Sequence, residues 1–225
     1  MTKFSKIIAV FSISIFLSAS LFAQAITTAS AYFKTISDYY ASLKDYEATV
    51  EIIADKKEMA GRVSYKRPNL LRIDFDNPEN QVIVFNGDML TVYLPEASAV
   101  LLQNVQTDNS GASVATAQGL SLLSRYYTVA YEIGQEPVPL ENGSDEKVIK
   151  LVLYPRNTAE AFRFIKIAIN PNTKLLRKVE AATKKGEVFS FNFMDYKLNS
   201  DITDQRFIYE APSSANNYNN FLFSE

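Results

Sequence analysis

Few side chains in this chain can carry chemistry near neutral pH. The sequence has no histidine and no cysteine. It therefore lacks the commonest proton carrier, the Ser-His and Cys-His nucleophile pairs, and the usual ligands of transition metals. Asp74 and Asp76 lie two residues apart in a stretch that alternates apolar and charged residues. That spacing puts both carboxylates on one strand face, where they could divide acid and base roles. The simpler reading of the same alternation is a solvated sheet face. Lys184-Lys185 reads as a hairpin tip, and Asn142-Gly143-Ser144 fits a glycosylation acceptor sequence as well as it fits a turn. The 13 tyrosines are scattered and define no binding platform. No catalytic residue, metal site or cofactor is expected. The remaining chemistry is apolar: rows of branched aliphatic and phenylalanine side chains that could hold a greasy ligand.

Those rows require a sheet. Leu71, Ile73 and Phe75 alternate with Arg72, Asp74 and Asp76, so one face of this strand is apolar and the other charged. Arg67-Pro68, Asn77-Pro78 and Asn86-Gly87 separate short runs rich in β-branched and aromatic residues, the pattern of an antiparallel meander over residues 61 to 95. Further strands are predicted at Tyr46 to Ile52, Met59 to Tyr65, Val100 to Val105, Val129 to Ile133, Lys147 to Tyr154, Phe162 to Asn170, Leu175 to Ala182 and Glu187 to Leu198. Ile165, Ile167 and Ile169 line one face of their strand; Phe189, Phe191 and Phe193 line one face of theirs. Ala29, Phe33, Ile36, Tyr40 and Leu43 recur every three or four residues, predicting an amphipathic helix from Thr28 to Lys44. A second, weaker helix is expected from Ser113 to Tyr126, where Gly119 costs about 1 kcal/mol relative to alanine. Together these give a mainly β fold with some α: a strongly curved, incompletely closed antiparallel barrel of ten or eleven strands, with both helices on its concave side.

Composition bounds the rest. The 225 residues suffice for one domain with a sizeable core. Lys3 and Lys6 precede an uncharged apolar run from Ile7 to Phe22, with Ala23 and Ala25 at the expected cut, the form of a cleaved secretory signal peptide over residues 1–23. The domain then spans residues 24–212, and residues 213–225 are expected to be a flexible tail. The net charge is -2, more negative still without the leader lysines, which argues against nucleic-acid binding. Without cysteine the exported chain has no site for the acyl anchor of a lipoprotein.

The ordered string of glycine, strand, Lys66-Arg67-Pro68-Asn69-Leu70, alternating strand, Pro78, valine-rich strand, Asn86-Gly87-Asp88 and a strand ending Tyr93-Leu94-Pro95 resembles the periplasmic outer-membrane lipoprotein carrier family, LolA. The segment from Asp201 to Pro212 resembles that family's closing segment, where a phenylalanine strand runs into proline. The resemblance implies a soluble, monomeric periplasmic carrier. It would take the acyl chains of lipoproteins from an inner-membrane ABC-type lipoprotein-releasing complex and pass them toward an outer-membrane acceptor. An acceptor of the same fold (LolB-like) and a lipid-sensing envelope module are the alternatives.

By the same resemblance, Arg67 matches the arginine that latches a helical lid, and Leu71 matches an apolar position at the cavity entrance. Arg67 is otherwise a loop arginine beside an acid. The implied acyl surface comprises Leu71, Ile73, Phe75, Ile165, Ile167, Phe189 and Phe191, with Leu120 and Leu123 supplied by the weak helix. The same residues could equally form an ordinary core under two helices. Enclosing one chain of about fourteen methylenes contributes roughly 11 kcal/mol, too much for release unless the enclosure is incomplete or an empty, closed state competes with it.

Overall fold

The computed structural model describes residues 27–104 and 117–221. The expected leader and the first residues of the second predicted helix lie outside the described residues. Thr28 opens α1 (Ala29–Ser42): its hydroxyl oxygen accepts from the Ala31 N–H at 3.2 Å, satisfying one of the unpaired amides of the first turn. The stripe of Ala29, Phe33, Ile36 and Tyr40 is buried. At Leu43 the backbone turns extended and the chain enters the sheet.

The strands are β1 (Asp45–Ala54), β2 (Lys57–Lys66), β3 (Leu70–Asn77), β4 (Val82–Phe85), β5 (Met89–Leu94), β6 (Ala99–Asn104), β7 (Tyr127–Tyr131), β8 (Val138–Pro139), β9 (Lys147–Pro155), β10 (Phe162–Ile169), β11 (Leu176–Thr183), β12 (Val188–Leu198) and β13 (Asn216–Asn219). The helix α2 (Ala117–Tyr126) precedes β7. Along the sheet the order is β13-β6-β5-β4-β3-β2-β1-β12-β11-β10-β9-β7, with β8 beside β9. The two ends of this path do not meet, so the barrel is unclosed, as the sequence predicts.

Two local devices shape the sheet. Gly61 on β2 faces β3 so closely that a Cβ there would meet the Asp74 carbonyl oxygen at 2.2 Å and the Phe75 Cα at 2.8 Å. Only glycine lets the sheet curl this tightly between β2 and β3. On β12 the register against β1 slips by one residue between Met194 and Lys197, with Asp195 at φ 51°. This bulge keeps Phe193 and Tyr196 on one face despite their odd spacing.

Three expectations need correction. The count of ten or eleven strands omits β8, a two-residue strand, and β13, which lies within the expected tail. The closing phenylalanine segment is not a strand: Asp204–Phe207 forms a 3-10 helix. Residues 213–221 do not simply fray, because Asn216–Asn219 pair with β6, and that pairing is parallel where the rest of the sheet is antiparallel.

Candidate functional site

The inner face of the sheet divides into two halves. In the first, β1, β2, β12, β11, β10, β9 and β7 lie under α1 and α2, and the core is closed. Tyr46, Ala48, Val50, Val63, Leu151, Leu153, Ile165, Ile167 and Ile169 are all buried against Phe33 and Ile36 in a single cluster. Leu120 of α2 is at 0% exposure and Leu123 is also buried there. The helix α2 packs on α1 and β7.

Two tyrosines on this side are paired within the core. The Tyr40 hydroxyl accepts from the Leu176 N–H at 2.9 Å and meets the Tyr196 hydroxyl at 3.3 Å, while Tyr196 donates to the Leu176 carbonyl at 3.0 Å. The ring of Tyr46 lies 5.3 to 6.0 Å from those of Tyr65, Tyr196 and Tyr40. Tyrosines that look scattered in sequence thus converge at one end of α1. Burial pushes Tyr40 up to about 12 and Tyr46 and Tyr196 well above the ordinary phenol value, so they act as neutral hydrogen-bonding groups.

The second half, β4 to β6, inverts the usual burial. Register carries the apolar face of β3 across the meander: Leu71 pairs with Phe85 and Ile73 with Ile83, Phe85 with Leu90 and Ile83 with Val92, then Val92 with Leu101 and Leu94 with Ala99. Directly opposed residues share a face, so Ile73, Ile83, Phe85, Leu90, Val92, Leu94 and Leu101 all belong to the inner face. All seven remain partly exposed, and the last four lie outside the core cluster. On the outer face of the same strands Val82, Val84 and Val100 are 8%, 3% and 2% exposed. This half of the sheet is covered on its outside and, apart from the buried Ala99 and Gln103 of β6, open on its inside.

The cover on the outside is the C-terminal segment, held by a charge cluster. Arg72, between the outer-facing valines, grips Asp74 through Nε and Nη2 at 2.7 to 3.0 Å and donates to the carbonyls of Arg206 and Ile208. Arg206 pairs with Asp74 and donates to the Ser64 hydroxyl at 3.3 Å. Lys66 reaches the Ile202 carbonyl and Asp204. The Arg72 guanidinium sits 5.5 Å above the Tyr209 ring, which packs on Tyr93. Phe207 is buried, and β13 continues along β6. Burial pushes the Asp74 carboxyl up, but the two guanidinium groups outweigh it and hold the carboxyl below its ordinary value. Asp74 is thus an anchor for the chain's own C-terminal segment, while Asp76 is exposed. They are not a solvated pair.

The expected site residues fall unevenly on this frame. Leu71, Phe75, Leu120, Leu123, Ile165 and Ile167 are buried in the core, and Ile73 and Phe191 pack on it while partly exposed. Phe189 is partly exposed on the inner face of β12, opposite Ala54 and Ala181. Arg67 is exposed; its N–H donates to the Lys44 carbonyl at 2.9 Å, which sets it at the exit of α1. Its side chain makes no hydrogen bond or ion pair to a described residue. Sequence reading missed Ile83, Phe85, Leu90, Val92, Leu94 and Leu101, although Leu90-x-Val92-x-Leu94 carries the same alternation as β3.

The sequence model of the family described as "Outer membrane lipoprotein carrier protein LolA" matches residues 51–210. The chain belongs to the LolA family. Relatives named outer-membrane lipoprotein carrier protein, from Pseudomonas paraeruginosa and Francisella tularensis subsp. tularensis, are 23% and 24% identical over 157 and 156 residues, and the match spans 69% and 68% of both this chain and theirs. An uncharacterized conserved protein from Thermus thermophilus has a similar structure, with a TM-score of 0.53 and 17% identity over 83% of this chain and 96% of that one. That likeness bears on fold alone. The LolA match begins inside β1, so α1 with Tyr40, and Tyr46 at the start of β1, precede it, while Tyr65 and Tyr196 of the same cluster lie within it. No helix among the described residues is long and apolar enough to cross a membrane.

Proposed function

We propose that this protein is a periplasmic lipoprotein carrier that takes acyl chains on the inner face of β3 to β6. The cargo comes from an inner-membrane ABC-type releasing complex and is passed toward an outer-membrane acceptor, with the carrier acting as a monomer. The observation that supports this reading is the inverted burial of the meander, where seven apolar side chains on the concave face stay partly exposed while the convex face is covered. A contiguous apolar patch on a concave wall is the form an acyl-chain site takes. Membership of the LolA family and the names of its relatives supply the cargo class.

The partial exposure also addresses the release problem. Covering a half-exposed leucine or isoleucine contributes about 1 kcal/mol, so an acyl chain laid over the patch gains about 7 kcal/mol. That is below the roughly 11 kcal/mol of full enclosure and leaves the cargo able to depart. The helix α2, weakened by Gly119, is the element we take to be displaced to lengthen the groove, and the family resemblance makes Arg67 the residue that would latch it.

Native mass spectrometry of protein purified from the envelope tests the proposal. The wild type is expected to carry one lipidated species per chain, and Arg67→Leu to retain more of it. Neither form carrying any lipidated species would defeat the reading.

A further inference from the structure

One end of the sheet carries two kinds of turn. β1, β9 and β11 run toward this end and β2, β10 and β12 start from it, so residues 55–58, 156–163 and 184–187 share one rim. Lys56, Lys57, Arg156, Arg163, Lys184 and Lys185 stand there, all exposed, and α2 adds Arg125 where it hands over to β7 opposite Pro155. These seven positive charges face four negative ones, Asp55, Glu58, Glu160 and Glu187, a local excess of three in a chain of net charge -2. At the same end the turns of the meander, residues 76–81 and 95–98, carry Asp76, Glu79 and Glu96 and no lysine or arginine.

Elsewhere on the molecule Lys66, Arg72, Lys166, Arg177 and Arg206 each hold a carboxylate. None of the seven rim cations makes an ion pair with a described residue, although four carboxylates stand on the same turns. Lys184 donates to the Thr158 carbonyl, which ties two of the turns together. The Arg125 and Arg163 guanidinium groups lie over the rings of Tyr126 and Phe164, 5.6 and 5.4 Å from their centroids. Apolar side chains gather at the same place. Of the seven large apolar side chains exposed among the described residues, Ile53, Tyr126, Tyr154 and Val188 are at this end. Ile53, Tyr154 and Val188 lie on the outer face, since Ile52, Leu153 and Phe189 beside them belong to the inner one, and register joins Phe164 to Ala182 and Ala182 to Val188 across it.

We propose that this rim docks the protein on the surface of an anionic phospholipid bilayer, its lysines and arginines on the headgroup phosphates and Tyr126, Tyr154 and Val188 at the headgroup boundary. Unpaired cations beside exposed aromatic and aliphatic side chains are the composition of a surface that lies on such a membrane. The cations are spread over four separate turns around an apolar row rather than set in a pocket, which suits many equivalent phosphates better than one shaped partner. Repulsion of Asp76, Glu79 and Glu96 by the same surface tilts the contact onto the β9 to β12 side. The proposal goes beyond the carrier reading and does not need it: docking uses the outer face and rim, whereas the acyl wall is the inner face of β3 to β6.

The test is co-sedimentation of protein purified from the envelope with vesicles of phosphatidylcholine alone or mixed equally with phosphatidylglycerol, at low and high ionic strength. The wild type is expected to bind the mixed vesicles at low ionic strength, to bind the neutral ones far more weakly, and to be released by salt. Lys184→Glu with Lys185→Glu should weaken binding about twentyfold, and Tyr154→Ser should weaken it further without changing thermal stability. Lys147→Glu with Lys197→Glu makes the same charge change at the opposite end of the sheet and should leave binding within about twofold. No binding to the mixed vesicles, equal binding to both kinds, or equal weakening by the two double variants overturns the proposal. Retention on a polyglutamate resin without vesicle binding overturns it in favour of an acidic protein partner. Since the vesicles hold no lipoprotein, each of these results leaves the carrier reading to stand or fall on its own.

Discussion

The two halves of one sheet in this protein are finished on opposite sides. From β1 through β12 to β7 the inner face is sealed by α1 and α2, whose apolar side chains reach complete burial. From β4 to β6 the inner face is left partly open, and the chain's C-terminal segment closes the outer face instead. A sheet needs one packed face to be stable; which face is packed is then free to serve function. By moving the cover of the meander to its convex side, the fold keeps an apolar concave wall in contact with solvent without forfeiting the stability of those strands.

This contrast can be broken by equal truncations in the two halves. Leu151→Ala, in the sealed half, should cost about 2–5 kcal/mol by urea unfolding. Leu101→Ala, on the open wall, should cost under about 1 kcal/mol, because a partly exposed leucine leaves no closed cavity behind. Similar losses at both positions would mean that the two halves are packed alike.

The seam between the halves is Gly61. Alanine there must push the β3 backbone away, so Gly61→Ala should destabilise by about 1–3 kcal/mol. It should also weaken binding of an acyl probe, since the curl that forms the concave wall is relaxed. A stable variant with unchanged binding would remove the glycine from this account.

The outer cover is tested more gently. Asp74→Asn leaves the two guanidinium groups without their anion and should cost about 1–2 kcal/mol, with faster hydrogen exchange in β13 and β6 than in β10. Because the folded Asp74 value is depressed, its contribution is complete above the ordinary carboxylate value near 4 and is lost as pH falls through the lower folded value. The wild-type unfolding midpoint should therefore drop more steeply on acidification than that of Asp74→Asn. Parallel curves for the two proteins would show that Asp74 does not anchor the C-terminal segment.

Much of this was legible in the sequence, and the reasons are local. The spacing of Phe33, Ile36 and Tyr40 predicts α1, and the alternation of Leu71, Ile73 and Phe75 fixes the inner face of β3. Punctuation by Pro68, Pro78 and Gly87 orders the meander. What escaped depends on distant partners. Arg72 and Asp74 read as a solvated face because their partners, Arg206 and the Arg206 and Ile208 carbonyls, lie more than 130 positions away. The pairing of β13 with β6 is a backbone contact that polar side chains such as Asn216 and Asn217 do not announce. The isoleucine and phenylalanine rows were rightly placed inward, but only the helices, which cover one half and leave the other, decide which row is core and which is wall. Tyr40, Tyr46, Tyr65 and Tyr196 come from four elements and meet only after folding.

The most direct measurement places a photo-crosslinking amino acid at either of two adjacent positions on β6, Leu101 on the inner face and Val100 on the outer, in protein expressed with its native envelope. The account predicts adducts with lipidated species from position 101 and few or none from position 100. Equal labelling from both, or labelling from position 100 alone, would contradict an acyl-binding inner wall.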